Sequence, residues 1–156
     1  MIYNRQETLA PFNDSYVRAA DVMLDTLYNK ANITEEQSMG LIGYVLDYRF
    51  VHIRVPRRVG KSTYLKKVAN HLANTEDGSV IFIGANVASI ASINHKNILT
   101  YTIYHNISLI TSRKDLKISA IIFDEISAEK CKNVLFNTLN YFSITDNFVV
   151  FGMSTN

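Results

Sequence analysis

Apolar positions along this chain follow two alternating rhythms. Short runs rich in β-branched and aromatic residues predict strands at Phe50-Val51-His52-Ile53-Arg54-Val55, at 79–84, at 118–123 and at 148–153, with a further short strand at 107–111. Between them, apolar residues three or four apart predict helices. Tyr16, Val17, Ala20, Met23, Leu24, Leu27 and Tyr28 mark one from Asp14 or Ser15 to about Lys30. A second is expected to open at Thr34, where Thr34-Glu35-Glu36-Gln37 fits a capping box and Leu41, Ile42, Val45 and Leu46 form the buried stripe, with Gly40 and Gly43 weakening it.

Tyr64, Leu65, Val68, Ala69 and Leu72 line a helix from Lys61 to about Ala73, and Val134, Leu135, Thr138, Leu139 and Phe142 line another. Residues 87–104 conflict: Ile90, Ile93, Ile98 and Leu99 suggest a helix, whereas Thr100 to Tyr104 alternate as in a strand. Within the strand at residue 50, His52 and Arg54 break the apolar run. A strand buried on both faces is more continuously apolar, so this one has a face at a rim or under a polar partner.

Strands alternating with helices predict an α/β domain with a mostly parallel sheet, in which ligands bind at the carboxyl ends of the strands. Three polar clusters stand at such ends: Gly60-Lys61-Ser62, Asp124-Glu125 and Ser154-Thr155-Asn156. Their coincidence carries the functional reading.

The first cluster belongs to Val55-Pro56-Arg57-Arg58-Val59-Gly60-Lys61-Ser62-Thr63, set between a strand and a helix as a phosphate loop is. Gly60 lets the backbone approach phosphate, Lys61 reaches the β and γ phosphates, and Ser62 is a ligand for Mg²⁺. Val55 stands where the strict pattern has its first glycine. Arg57 and Arg58 either stabilise charge on a transferring phosphoryl group or attract polyphosphate generally.

Asp124 at a strand tip suits Mg²⁺, and Glu125 suits the water that attacks the γ phosphate; the plain reading is an acidic turn. Gln37 offers a donor and an acceptor to an adenine edge, or completes the capping box, and the two roles are compatible. Ser154-Thr155-Asn156 either sense the γ phosphate or form an ordinary turn.

Length and composition bound these readings. The 156 residues suit one domain, and 47% hydrophobic content with 2 prolines and 6 glycines argues against disorder. Cys131, the single cysteine, cannot form an internal disulfide, which fits a reducing compartment; no signal peptide or membrane-spanning run is evident, so a soluble cytoplasmic protein is expected. Net charge is +2, but residues 51–75 hold six basic and no acidic groups. The positive charge thus gathers at the suspected phosphate loop and its helix, where Lys66 and Lys67 read as a solvated face. His52, His71, His95 and His105 lack metal-ligand spacing and read as structural or surface residues, and Cys131 has no activating neighbour.

From about Thr34 to Asn156, these motifs resemble, in order, the ATPase domain of phage large terminase subunits, DNA-packaging motors of the P-loop ASCE class. Gln37 falls at the family's adenine-binding glutamine. Pro56 to Ser62 looks like its variant phosphate loop, which commonly lacks the first glycine and carries an arginine at the place of Arg57. Ile121-Ile122-Phe123-Asp124-Glu125 looks like its Mg²⁺ and catalytic-glutamate strand, and 149–156 like its coupling motif.

The resemblance implies a three-layer P-loop fold, RecA-like and terminase-like, with an N-terminal helical segment at 1–33 and an ATPase core at 34–156. It implies Mg²⁺-dependent ATP hydrolysis that drives translocation of double-stranded DNA. Gln37, Arg58, Gly60, Lys61, Ser62 and Thr63 would bind nucleotide, and Ser62 and Asp124 the metal. Glu125, Arg57 and Lys61 would be catalytic, and Ser154, Thr155 and Asn156 would couple hydrolysis to movement. Implied partners are a portal, a small terminase subunit and further copies in a ring, in the host cytosol if the protein is viral.

The resemblance also implies that the strand ending at Met153 lies between the loop strand and the Asp124 strand. A further strand should flank the loop strand, so the fold is expected to be incomplete at the C-terminus, as in a fragment, a truncated gene product or half of a split protein. Two departures stand out: Asn156 replaces a proline or small residue, and the acidic cluster of a C-terminal nuclease is missing, so no DNA cleavage is expected. Helicase-type ATPases share the layout and remain an alternative, as does a regulatory or assembly protein that binds ATP without turnover.

Overall fold

The computed structural model of the chain describes residues 18–20, 22–24, 26, 40–56, 60–104, 110 and 115–155. Its strands are β1 (Phe50–Arg54), β2 (Ser79–Gly84), β3 (Ile98–Thr102), β4 (Lys117–Asp124) and β5 (Ser143–Ser154). They form one five-stranded sheet in the order β1-β5-β4-β2-β3, with every pairing parallel. The strand ending at Ser154 thus lies between the loop strand and the Asp124 strand, as expected. Among the described residues β1 pairs with β5 alone, which accounts for the alternation at His52 and Arg54.

The helices are α1 (Leu41–Tyr44), which continues as a π-helical turn at Val45–Arg49, α2 (Lys61–Thr75), α3 (Val87–Ile90) and α4 (Ala128–Thr138), which ends in a 3-10 turn at Leu139–Tyr141. Residues 18–20, 22–24 and 26 are also helical, within the first expected helix.

Two cores sandwich the sheet. On one face Tyr64, Leu65, Val68, Ala69 and Leu72 of α2 pack with Ala20 and Leu24 against Val80, Phe82, Ala120, Ile122, Val149 and Phe151. On the other, Tyr44 and Val45 join Cys131, Val134 and Leu135 of α4 against Ile81, Ile83, Ile121, Phe123 and Val150. Helices on both faces make a three-layer α/β arrangement. Coverage on both sides explains why β2 and β4 are apolar without alternation. Each fully buried leucine or valine contributes about 1.5–3 kcal/mol, so packing rather than end-capping holds α2 in place.

Three expectations change. The described part of the second helix opens at Leu41, because Gly40 has φ +79° and cannot belong to it; Thr34–Gln37 lie outside the described residues. The conflict at 87–104 resolves into both elements, α3 and then β3, with a turn between. The strand expected from 148 begins at Ser143, since Ser143 and Ile144 pair with Lys117 and Ile118 despite their polar surroundings. The strand expected at 107–111 falls outside the described residues except for Ile110, which is buried in a 3-10 turn. No described helix is long and apolar enough to cross a membrane.

Candidate functional site

Register brings the three polar clusters together. Arg54 pairs with Ser154, Met153 with Asp124, and Asp124 with Gly84. Pairing then runs one residue further: Val55 N–H donates to Ser154 O (2.9 Å), Glu125 N–H to Met153 O (2.9 Å) and Ala85 N–H to Asp124 O (3.2 Å). The ends of β1, β5, β4 and β2 therefore form a level rim.

At this rim Gly60, in a left-handed conformation (φ +82°, ψ +24°), turns the chain into the 15-residue helix α2. That conformation strains any residue with a Cβ. No side chain caps the helix, and its first turn holds no acidic residue. The leading N–H groups of a helix and the positive end of its dipole favour an anion, so this end of α2 is a candidate place for one.

Lys61, Glu125 and Thr155 meet directly. Lys61 Nζ forms an ion pair with Glu125 Oε2. Thr155 donates to Glu125 Oε1 through its N–H (3.1 Å) and its hydroxyl (2.5 Å). Burial works to raise the Glu125 carboxyl, but the bonds from Lys61 and Thr155 outweigh it and hold the group below its usual range.

Asp124 is treated differently. It is fully buried, and neither of its carboxylate oxygens has a hydrogen-bond partner. Burial pushes its carboxyl above the usual range; the nearby Ser62 hydroxyl and the Lys61 charge pull it down without matching that loss of water, and Glu125 adds repulsion. Alternation along β4 places Asp124 on the same face as Ala120 and Ile122, which is the face that α2 covers.

The orphaned oxygens fit a small hard cation, since Mg²⁺ takes one or two protein oxygens and fills its remaining positions with phosphate and water. Asp124 and Ser62 suit that role. Groups of three or more histidine, cysteine or acidic residues able to hold a metal are absent among the described residues.

Ser154 is buried at the rim, and Thr63 is exposed on the first turn of α2. Gln37, Arg57, Arg58 and Asn156, each expected at the site, lie outside the described residues. Cys131 is buried, which pushes its thiol up to about 12, so it stays protonated.

One participant escaped the motif reading. His52 Nε2 lies 2.8 Å from the carbonyl of Ile126, the residue after Glu125. Burial lowers the affinity of this imidazole for a proton, and Arg54 lowers it further, against the pull of the carbonyl. The signal for it was the polar break in β1, which calls for a polar partner.

Neither a known protein-family profile nor a curated protein sequence matches this chain.

Proposed function

We propose that this chain binds Mg·ATP and hydrolyses it, as the ATPase core of a motor that moves double-stranded DNA, of the terminase type its motifs resemble. The observation that carries the reading is Asp124, whose two buried carboxylate oxygens lack partners. They lie close to Lys61 and Ser62 at the uncapped start of α2. A buried carboxylate without partners is costly unless a cation joins it. The position of β5 between β1 and β4 adds support, since it is the order that the resemblance implies.

In this reading Gly60 and the first turn of α2 cradle the phosphates, and Lys61 leaves Glu125 to neutralise the β and γ oxygens. Asp124 and Ser62 hold Mg²⁺, which supplies charge neutralisation between the phosphates. Glu125, released by Lys61 but still reached by Thr155, accepts a proton from the attacking water. Thr155 then links the state of Glu125 to the end of β5, the route by which Ser154, Thr155 and Asn156 would couple hydrolysis to DNA movement. Arg57 would assist at the phosphoryl group. Portal, small subunit and a ring of copies are the partners this role calls for.

A second reading has its own support. Both Glu125 oxygens are engaged by Lys61 and Thr155, an arrangement that suits a protein that binds ATP without turning it over.

The deciding experiment measures ATP binding and Mg²⁺-dependent phosphate release, with duplex and with single-stranded DNA, for the wild type, Lys61→Ala and Glu125→Gln. The motor reading expects duplex-stimulated release that both variants lose, with binding kept by Glu125→Gln. Stimulation by single strands alone selects a helicase. Binding with no release in either wild type or Glu125→Gln selects the second reading, and no binding at all overturns both.

A further inference from the structure

Glu125 is the one described non-glycine residue with positive φ, at +60°. Such a backbone persists where its surroundings hold it. Two ties are local to the rim: its own N–H bonds to Met153 O, and its carboxylate is held by Thr155 and Lys61. A third comes from further away. The carbonyl of Ile126 receives His52 Nε2 at 2.8 Å and the Cys131 thiol at 3.5 Å. A carbonyl only accepts, so His52 Nε2 carries a hydrogen.

His52 sits on β1, and β5 separates β1 from β4. The ring therefore crosses a whole strand. It crosses at Gly152, which is in register with His52 on one side and with Phe123 on the other. A Cβ at Gly152 would meet His52 Cδ2 at 3.0 Å and Phe123 Cβ at 3.3 Å. The missing side chain is the gap through which the imidazole passes.

We propose that His52 is a positioning residue for Glu125, clamping the 125–126 turn from the strand that leads into the phosphate loop. This deepens the hydrolytic reading above and rests on it. The strand before Gly60 and the turn that carries the water-orienting carboxylate then move as one unit, although 74 residues separate His52 from Ile126. Without the clamp, Glu125 loses one of the restraints on its unfavourable φ, and the carboxylate is misplaced while the phosphate-binding groups stay in position.

The test uses His52→Leu, which removes the donor, and His52→Gln, whose amide nitrogen takes the place of Nε2. Expected for His52→Leu is a fall in kcat of about tenfold with KM for ATP unchanged, and for His52→Gln substantial recovery. Amide hydrogen exchange of residues 125–127 in the nucleotide-free protein gives a readout that needs no turnover. His52→Leu should speed exchange there and His52→Gln should restore protection. Unchanged exchange in His52→Leu overturns the proposal, as does a kcat at the wild-type level or an equal loss in both variants. If wild type releases no phosphate, the hydrolytic reading fails by that result alone, and exchange at 125–127 still decides whether His52 holds the turn.

Discussion

Helices α2 and α4 start on the same rim, each after a strand of the same sheet, yet their N-termini are finished in opposite ways. At α4, the Ser127 side chain accepts from the Lys130 N–H at 3.4 Å, and Glu129 places an acid in the first turn. The chain satisfies that end itself. At α2, Gly60 provides no cap, no acid follows, and Lys61 adds positive charge to the positive end of the dipole. Beside it lies Asp124 with neither oxygen bonded. One terminus is capped by its own sequence, and the other has no side-chain cap and stands beside carboxylate oxygens that have no hydrogen-bond partner. Under the proposed function a magnesium–polyphosphate complex would satisfy both at once, with phosphate for the helix end and the cation for the carboxylate.

The sharpest way to break this contrast is Asp124→Asn. Mg²⁺-dependent ATP affinity should fall by about a hundredfold, because a metal contributes several kcal/mol of charge stabilisation. The same change should stabilise the nucleotide-free protein, on the order of 1 kcal/mol at neutral pH, by removing a buried charge whose loss of water Ser62 and Lys61 do not offset. Titration calorimetry with and without Mg²⁺, beside urea unfolding, checks both. Loss of stability together with loss of binding would mean that Asp124 is a structural acid.

Much of this site was legible in the sequence, and the reasons are physical. The bounds of β2 coincide with its apolar run because both faces are covered, so hydrophobicity and pairing end together. Lys61, Asp124, Glu125 and Thr155 were legible because a parallel sheet gathers its strand ends on one rim, whatever their distance along the chain. The start of β5 was not: Ser143 to Asn147 is polar except for Ile144, and backbone pairing with β4 draws part of it into the sheet. The clamp by His52 was not legible either. A polar residue in β1 announces that a partner exists, while its identity depends on a strand order that periodicity does not encode.

A smaller effect separates the two acids by pH. Burial raises the Asp124 carboxyl in the folded chain, so its contribution is full below the unfolded value and is lost as pH rises through the folded one. Glu125 is held low, so its contribution is present above the unfolded value and is lost as pH falls through the folded one. In nucleotide-free protein, the stability gained by Asp124→Asn should therefore shrink on acidification. The stability lost by Glu125→Gln should shrink as well. The two differences have opposite sign and both close in acid, which unfolding curves across the carboxylate range would reveal. A gap that persists in acid would show that shape rather than charge separates that variant from the wild type.

The smallest effect belongs to the closed terminus. Ser127→Ala removes the cap of α4 and should cost about 0.5 kcal/mol of stability, the low end for caps, because the bond is long at 3.4 Å. ATP affinity should stay unchanged, because the orphaned Lys130 N–H belongs to the other helix. The residue nonetheless follows Ile126, whose carbonyl carries the His52 bond, so Ser127→Ala also asks how stiff that turn is. If unfolding shifts by the expected amount while exchange at 125–127 stays slow, the clamp from β1 holds the turn without help from the α4 cap. Faster exchange would mean that the closed end of α4 and the open end of α2 are mechanically one structure, joined through the two residues between Glu125 and the helix.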